Sequence, residues 1–482
     1  MNKTDALHAA GRWFDQGHYR DLIARRVAHP THSDSGRPNP ALAVYLDDEM
    51  GPYLSGLGFD CERLDNPVAG QPPMMMARRI ESDEAPTVLI YGHGDVISGQ
   101  EAQWREGLQP WALTVEGDRW YGRGTADNKG QHTATLAALS QVIEARGGRL
   151  GYNVTVLLEM GEEVGSPGLR EICAQERERL RADLLVASDG PRVHAQRPTV
   201  FLGSRGIVNF TLSLQSRDRY FHSGNWGGVL ANPATIISHA ITSMVDRHGR
   251  MRVQGLMPPP VSEAVRQALA EVPIGGDQDD PQIDADWGAP GLTASQRLMA
   301  WNTLEVLALG AGSAERPINA IPPRAVAHCQ LRFVPGTDWE NLEQIVREHL
   351  VSAGFAQIDV KVTAGTPATR LPLDNPWVDW CLASIAGTTG KTPTLLPNLA
   401  GSLPNDAFAQ ILGMPTLWIP HSYPACSQHA PNEHLLAPVV REGLLAMTGL
   451  FWDLGEKEQA PWYRGIRNTS PTTASLHQPQ PA

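Results

Sequence analysis

Cysteine is scarce in this chain. Among 482 residues there are five, at 61, 173, 329, 381 and 426, with no Cys-x-x-Cys pair. So few and so scattered, they fit free thiols in a reducing compartment rather than a disulfide framework. Positive charge is short as well: 40 basic residues face 52 acidic ones, a net charge of -12. That balance argues against nucleic acid or an anionic membrane as the main partner. No apolar run approaches the ~20 residues of a membrane span. The opening Met1-Asn-Lys-Thr-Asp-Ala-Leu-His8 holds no apolar signal region, so the expected location is cytoplasmic. Several enzyme motifs are missing too: there is no HExxH, no GxSxG and no P-loop. Gly122 and Gly124 begin a GxGxxG, but Asp127 stands at its third glycine, so a dinucleotide-binding oxidoreductase is not supported.

What is present is an ordinary core and a regular alternation. The hydrophobic fraction is 41 %, and the length allows two or three domains. Residues 5–26 and Ala41 to Leu57 read as helices, and Met74 to Ile80 as a strand. Three short apolar strands each run into a polar turn. Pro86 to Tyr91 runs into Gly92-His-Gly-Asp95, and Asn153 to Leu158 into Glu159-Met-Gly-Glu-Glu-Val-Gly165. Ala182 to Ser188 ends at Asp189-Gly-Pro191. Near-continuous apolar strands separated by helices signal an α/β sheet, and ligands gather beyond the carboxyl ends of such strands. The pattern changes near Gly203. Gly206 to Leu214 and Ala325 to Val334 alternate, with helices at 231–247 and 338–353 and a further strand at 357–363. This reads as a small α+β domain inserted into the larger one. Residues 250–300 read as an irregular insertion rich in Pro, Asp and Gly. The α/β character returns after about residue 370, with helices at 376–386 and 406–412 and a strand from Pro415 to Ile419. The expected division is 1–204 and 369–464 for the catalytic domain, 205–368 for the insert, and 465–482 as a disordered tail.

The chemistry centres on Tyr121-Gly-Arg-Gly-Thr-Ala-Asp-Asn-Lys-Gly130, a glycine-rich turn ahead of a helix-like run. It presents Asp127 away from the core, suited to bridging two metal ions. His93 and Asp95 form an H-x-D pair, in which the carboxylate can orient the imidazole. Glu162 and Glu163 are adjacent carboxylates; one as metal ligand and one as general base would justify their repulsion. Asp189 and His429 complete five ligand candidates: His93, Asp127, Glu163, Asp189 and His429. Three carboxylates and two imidazoles suit two Zn²⁺ ions. The formal −3 against +4 leaves positive charge to stabilise a bridging hydroxide, formed as the pKa of water falls from ~15.7 toward ~7.

Five separated motifs carry a resemblance. Trp104-Arg-Glu-Gly-Leu-Gln-Pro-Trp111, the Asp127 turn, Glu162-Glu163, Ser188-Asp-Gly190 and His429-Ala-Pro-Asn-Glu433 resemble the dinuclear zinc exopeptidases, in that family's order over about residues 40–440. The family includes carnosinase-type dipeptidases, carboxypeptidase G, succinyl-diaminopimelate desuccinylase and acetylornithine deacetylase. The resemblance implies a mixed α/β sheet with helices on both faces and an inserted lid and dimerisation domain. It implies that His93 and Asp189 hold one metal, Glu163 and His429 the other, and Asp127 both. Asp95 then orients His93, and Glu162 is the general base. Aspartate at 189 tilts the match toward the dipeptidases. In the insert, Phe221-His-Ser-Gly-Asn-Trp-Gly-Gly228 resembles the carnosinase lid motif, whose histidine, here His222, reaches the partner subunit's site and stabilises the oxyanion. Asn319 and Arg332 match lid positions for the oxyanion and the substrate's terminal carboxylate. Gly401 and Ser402 match the substrate loop, although Asn398 and Ala400 stand where many dipeptidases have Arg and Gly. His421 and His434 compete with His429 as ligands, and the His-x-x-Asn-Glu spacing favours His429.

The expectation is a cytoplasmic, homodimeric dizinc hydrolase, with Mn or Co as other metals, acting on a dipeptide or other small peptide. An N-acyl-amino-acid deacylase uses the same chemistry. A non-catalytic binding protein of the same fold is the alternative of a different class, and its mark would be loss of a ligand or of Glu162.

Overall fold

The computed structural model describes residues 1–34, 37, 39–275, 281–456 and 459–464. The expected tail at 465–482 lies outside them. Thr87–His93, Asn153–Glu159 and Leu184–Ala187, the three apolar runs, are neighbouring strands. Thr87–His93 lies in the middle and pairs parallel with both of the others. Their carboxyl ends therefore share one edge of the sheet, and the three polar turns meet there. Every residue of Asn153–Glu159 is buried, as a strand covered on both faces requires.

The sheet has eight strands. In spatial order they are Asp60–Leu64, Met74–Arg79, Asn153–Glu159, Thr87–His93, Leu184–Ala187, Thr416–Trp418, Thr199–Phe201 and Thr394–Leu396. The first two add antiparallel and Thr416–Trp418 adds parallel, so the sheet is mixed. Successive strand residues point to opposite faces, and both faces carry helix. A Cβ on Gly92 would lie 2.8 Å from the Cβ of His132 in helix Lys129–Ala145, so only glycine lets that helix sit so close. Tyr91, on the other face, packs its ring 4.9 Å from Phe408 in the helical turn Ala407–Leu412. Among the described residues, no helix is long and apolar enough to cross a membrane.

The chain forms two compact units. One comprises residues 1–200, 374–394 and the chain from 407 onward; the other comprises 201–373 and 395–406. The second unit has its own antiparallel sheet, in the order Thr303–Gly310, Arg324–Phe333, Gly206–Gln215 and Asp359–Thr366. Its two central strands alternate. Val208, Phe210, Leu212 and Leu214 point inward with Ala327, Cys329 and Leu331, under helices Pro233–Met244 and Leu342–Ser352. Each fully buried Leu or Phe contributes about 1.5–3 kcal/mol. Asn209, Gln330 and Arg332 lie on the opposite, half-open face.

The structure corrects the sequence reading in three places. The helix expected over 5–26 is two, Lys3–Asp15 and His18–Val27, broken where Gly17 takes φ +90°. The helix expected from Ala41 to Leu57 is three segments, with a π-helical turn at Tyr45–Met50. Pro52, just beyond, has no N–H to continue the ladder. The insertion at 250–300 is not wholly irregular: it holds the short helices Glu263–Leu269 and Ala294–Met299, capped by Ser262 and Thr293. The strand Thr303–Gly310 leaves no alternating pattern in the sequence, because as an exposed edge it is apolar without alternation.

Candidate active site

Asp127 is set by the turn before helix Lys129–Ala145. The cap position of that helix belongs to Asn128, so the Asp127 side chain is not spent on capping. The turn requires its glycines. Gly124 takes φ +88°, and a Cβ on Gly130 would fall 1.9 Å from the Thr125 carbonyl oxygen. The peptide bond between Asp127 and Asn128 is cis.

The two oxygens of Asp127 face different histidines. Oδ1 lies 3.1 Å from His93 Nε2, and Oδ2 lies 3.1 Å from His429 Nε2. Asp189 Oδ2 is 3.5 Å from His93 Nε2, and Glu163 Oε2 is 3.0 Å from His429 Nε2. The five candidates thus stand as two triads sharing Asp127: His93, Asp127 and Asp189, then Asp127, Glu163 and His429. Donors bound ~2.0–2.1 Å from one tetrahedral ion stand about 3.3 Å apart, and the observed separations bracket that value.

The protonation pattern makes the same demand. His93 turns Nδ1 to Asp95, 3.1 Å from its backbone oxygen and 3.3 Å from Oδ1. With the proton on Nδ1, the Nε2 lone pair faces two carboxylates. That nitrogen is buried and, among the described residues, has no hydrogen-bond partner. A cation between lone pair and carboxylates relieves the repulsion, so the donor set fits a metal. Without one, a proton must serve. Burial disfavours imidazolium at His93, but Asp127, Asp189 and Asp95 outweigh it and raise its pKa well above the ordinary value. Hydrogen bonds to Asp127 and Glu163 raise that of His429 to about 11. Burial, then the Asp127 charge, raise that of Glu163 to about 7.

Asp95 ties two of the turns together. Its carboxylate accepts from the backbone N–H of Glu162 and of Glu163, both at 3.1 Å, and from Ser33 Oγ at 2.8 Å. The 3₁₀ turn Glu162–Val164 is therefore hung from the strand end that carries His93. Glu162 is not in either triad. Its pKa is pushed well up by burial first, with Asp189, Glu163 and Asp127 adding to it against His93.

The competing histidines have other partners. His421 Nε2 is 3.1 Å from Ser188 Oγ, and His434 Nε2 is 2.6 Å from Tyr423 Oη. The remaining sequence candidates lie in the second unit. His222 is exposed on a two-residue strand paired with Ala320–Ile321, beside Asn319, whose carbonyl accepts from Ser223 N–H at 2.9 Å. Arg332 Nη1 donates to Ser402 Oγ at 3.0 Å, next to the exposed Gly401.

Two residues escaped the sequence reading. Gln428 Nε2 donates to Asp127 Oδ2. Glu433, 1 % exposed, accepts from the backbone N–H groups of Gly124, Ala126 and Asp127 at 2.9–3.1 Å and from Arg123 Nη1 at 2.8 Å. It locks the loop of His429 onto the turn of Asp127. Its place at the end of the His-x-x-Asn-Glu motif was visible, but nothing local says what it holds.

Comparison with known proteins shows the family. Residues 89–453 match the profile of peptidase family M20/M25/M40. Beta-Ala-His dipeptidase of Mus musculus is 30% identical over 338 residues, 66% of this chain and 68% of the relative. Cysteinylglycine-S-conjugate dipeptidase of Corynebacterium striatum is 28% identical over 381 residues, 74% and 80% of the two chains. An M20 family metallo-carboxypeptidase from Sulfolobus solfataricus superposes with a TM-score of 0.77 at 23% identity, over 91% of this chain and 99% of that one. With a profile match over most of its length and two clustered triads of side chains that could each hold a metal ion, the chain belongs to peptidase family M20/M25/M40 and is a metal-dependent peptide hydrolase.

Proposed function

We propose that the protein is a cytoplasmic dizinc dipeptidase, cleaving the amide bond beside a free carboxylate. The observation that carries the reading is the shared Asp127, with one imidazole 3.1 Å from each of its oxygens. His93 and Asp189 would hold one ion, Glu163 and His429 the other, and Asp127 both. Nitrogen and oxygen donors favour Zn²⁺, with Mn or Co as substitutes. When bound, the metal pair supplies Lewis acidity to the scissile carbonyl and acidifies the attacking water.

Glu162 takes the water's proton and returns it to the leaving amine. A carboxyl whose pKa is raised well above the ordinary value by burial suits an exchange of protons in both directions. His222 accepts from Gly224 N–H through Nδ1 at 3.1 Å, so its proton sits on Nε2, free to be given to an oxyanion. Asn319 assists there, Arg332 takes the substrate carboxylate in a bidentate grip, and Gly401 and Ser402 line the peptide. We assign His222 to the partner's site in a homodimer. The edge strand Thr303–Gly310, with Leu307 and Leu309 59% and 53% exposed, is an unpaired edge of the kind that proteins cover. The dipeptidase names of the two relatives and the five free cysteines support the substrate class and the reducing compartment.

One preparation tests the reading. It should bind about two divalent ions per chain and cleave dipeptides. Turnover of N-acyl amino acids alone would make it a deacylase. Full metal with no turnover of either class would overturn it.

A further inference from the structure

One buried carboxyl close to the triads belongs to neither of them. Glu159 ends the strand Asn153–Glu159 and is 0% exposed. Its Oε1 accepts from two hydroxyls, Tyr91 Oη at 2.6 Å and Ser166 Oγ at 3.0 Å. Tyr91 lies on the strand Thr87–His93, which carries His93 at its end. Ser166 is buried just past the turn Glu162–Val164. A single oxygen therefore joins the strand of His93 to the chain returning from Glu163.

The loop between Glu159 and Ser166 closes on itself. The Gly161 carbonyl accepts from Val164 N–H at 3.3 Å and from Ser166 N–H at 2.9 Å, and Gly165 N–H donates to the Glu162 carbonyl at 2.8 Å. At its front, Asp95 holds the N–H groups of Glu162 and Glu163. At its return end, the side chain that fastens it to Glu159 is Ser166. Ser166 takes φ +54°, while the other left-handed positions here, Gly165 at +92° and Gly168 at +86°, are glycines. Glycine would meet the backbone demand at 166 with less strain. What serine adds is the hydroxyl, and Glu159 receives it. Among the described residues, Glu159 Oε2 is buried with no hydrogen-bond partner. A left-handed serine and an orphaned carboxyl oxygen both cost stability, and they meet at one hydrogen bond behind Glu162 and Glu163. Such costs persist where the geometry they hold serves function.

We propose that Glu159 is a positioning residue. Acting through Ser166, it fixes the turn that carries Glu162 and Glu163. This rests on the roles given to those two residues in the dipeptidase reading. What the clamp needs from Glu159 is an acceptor, not a charge. Glutamine supplies the same acceptor, and its amide nitrogen would replace Oε2, which no described donor faces. Leucine removes the acceptor at similar size. Ser166→Ala keeps the Cβ, and so the backbone strain, and removes the hydroxyl alone.

The test compares these variants of the full chain in two assays. One is chelator competition for Zn²⁺ on folded protein, which needs no turnover. The other is kcat and KM of the Zn²⁺-loaded enzyme on a dipeptide. Glu159→Leu and Ser166→Ala should each lower Zn²⁺ affinity and kcat about 10–100-fold, as loss of an outer partner of a metal ligand does. KM should change little, because neither group meets the substrate. The double variant should be no worse than Glu159→Leu, because both changes break the same hydrogen bond. Glu159→Gln should keep both readouts near those of the unaltered chain. If Glu159→Leu fails to fold, Ser166→Ala carries the test, since it leaves the carboxyl and Tyr91 in place. A lowered unfolding temperature in Ser166→Ala, with Zn²⁺ affinity and kcat unchanged, would overturn the proposal. So would a Glu159→Gln as impaired as Glu159→Leu, because charge rather than the acceptor would then be what counts. Full turnover in Glu162→Gln together with full metal in Glu163→Gln would instead remove the roles assigned to that turn, and with them the basis of the proposal.

Discussion

Asp127 and His222 show two ways of holding a polar side chain. Asp127 sits in a turn whose glycines, backbone N–H groups and neighbouring carboxylates are all spoken for, and its side chain is 7% exposed. His222 sits on a two-residue strand, exposed, with one hydrogen bond to the next turn. The first unit gathers like charges that repel unless a cation joins them, so their positions must be fixed before it arrives. Under the proposed function the second unit's residues would meet neutral or singly charged groups of a substrate, which supplies the missing partner itself. Under the proposed function, then, the buried Asp127 is fixed for the metal ions, while the exposed His222 is left free to meet the peptide.

The difference is broken most completely at Asp127. Asp127→Ala removes the carboxylate that both triads share, so both ions should be lost and turnover should vanish. Metal analysis after dialysis checks it, and a variant that kept two ions would sink the shared-ligand assignment. Glu162→Gln comes next. It should keep both ions and the fold while losing about 10²–10⁴ in kcat, the contribution of a general base. If metal were lost there and retained in Glu163→Gln, the two roles would have to be exchanged.

On the exposed side, His222→Ala should cost about 10²–10³ in kcat, as removal of an oxyanion donor does, with metal content unchanged. Mixing it with Asp127→Ala chains sharpens the contrast. A mixed dimer places both lesions in one site and none in the other, so activity should return once chains exchange. A verified mixed dimer without recovery would place His222 in its own subunit's site.

The metal side was the more legible of the two from the sequence. Its strands are short apolar runs ending in glycine and charge, and a parallel sheet brings such ends to one edge. His93, Glu163 and Asp189 are therefore placed by local pattern plus one topological rule. Asp127 follows from its glycine turn. His429 has no such rule, since its loop comes after the last of the strands the pattern shows. The edge strand Thr303–Gly310 stayed hidden because its exposed face is apolar, which defeats alternation. Glu433 stayed hidden for another reason. Its partners lie 306 to 310 positions away, and apart from Arg123 they are backbone groups, which carry no residue identity to read.

That residue gives the smallest and most discriminating test. The loop of His429 is held in a costly shape, with Ser427, His429 and Asn432 all at φ near +60°. Something must hold it, and the Glu433 carboxylate spans from that loop to the Asp127 turn. Glutamine at 433 keeps one acceptor oxygen. Its amide nitrogen brings hydrogens against either the backbone N–H groups or the Arg123 guanidinium. Arg123 is itself buried, with Nε and Nη2 unpartnered among the described residues, and breaking a buried pair of this kind costs about 3–5 kcal/mol of stability. If Glu433 served stability alone, Glu433→Gln would lower the unfolding temperature and leave metal affinity as it was. If it positions the ligands, metal affinity should fall about 10–100-fold, as loss of an outer partner of a metal ligand does. Chelator competition on folded protein, at a temperature well below unfolding, separates the two. An unchanged metal affinity beside a lowered unfolding temperature would reduce Glu433 to a structural ion pair.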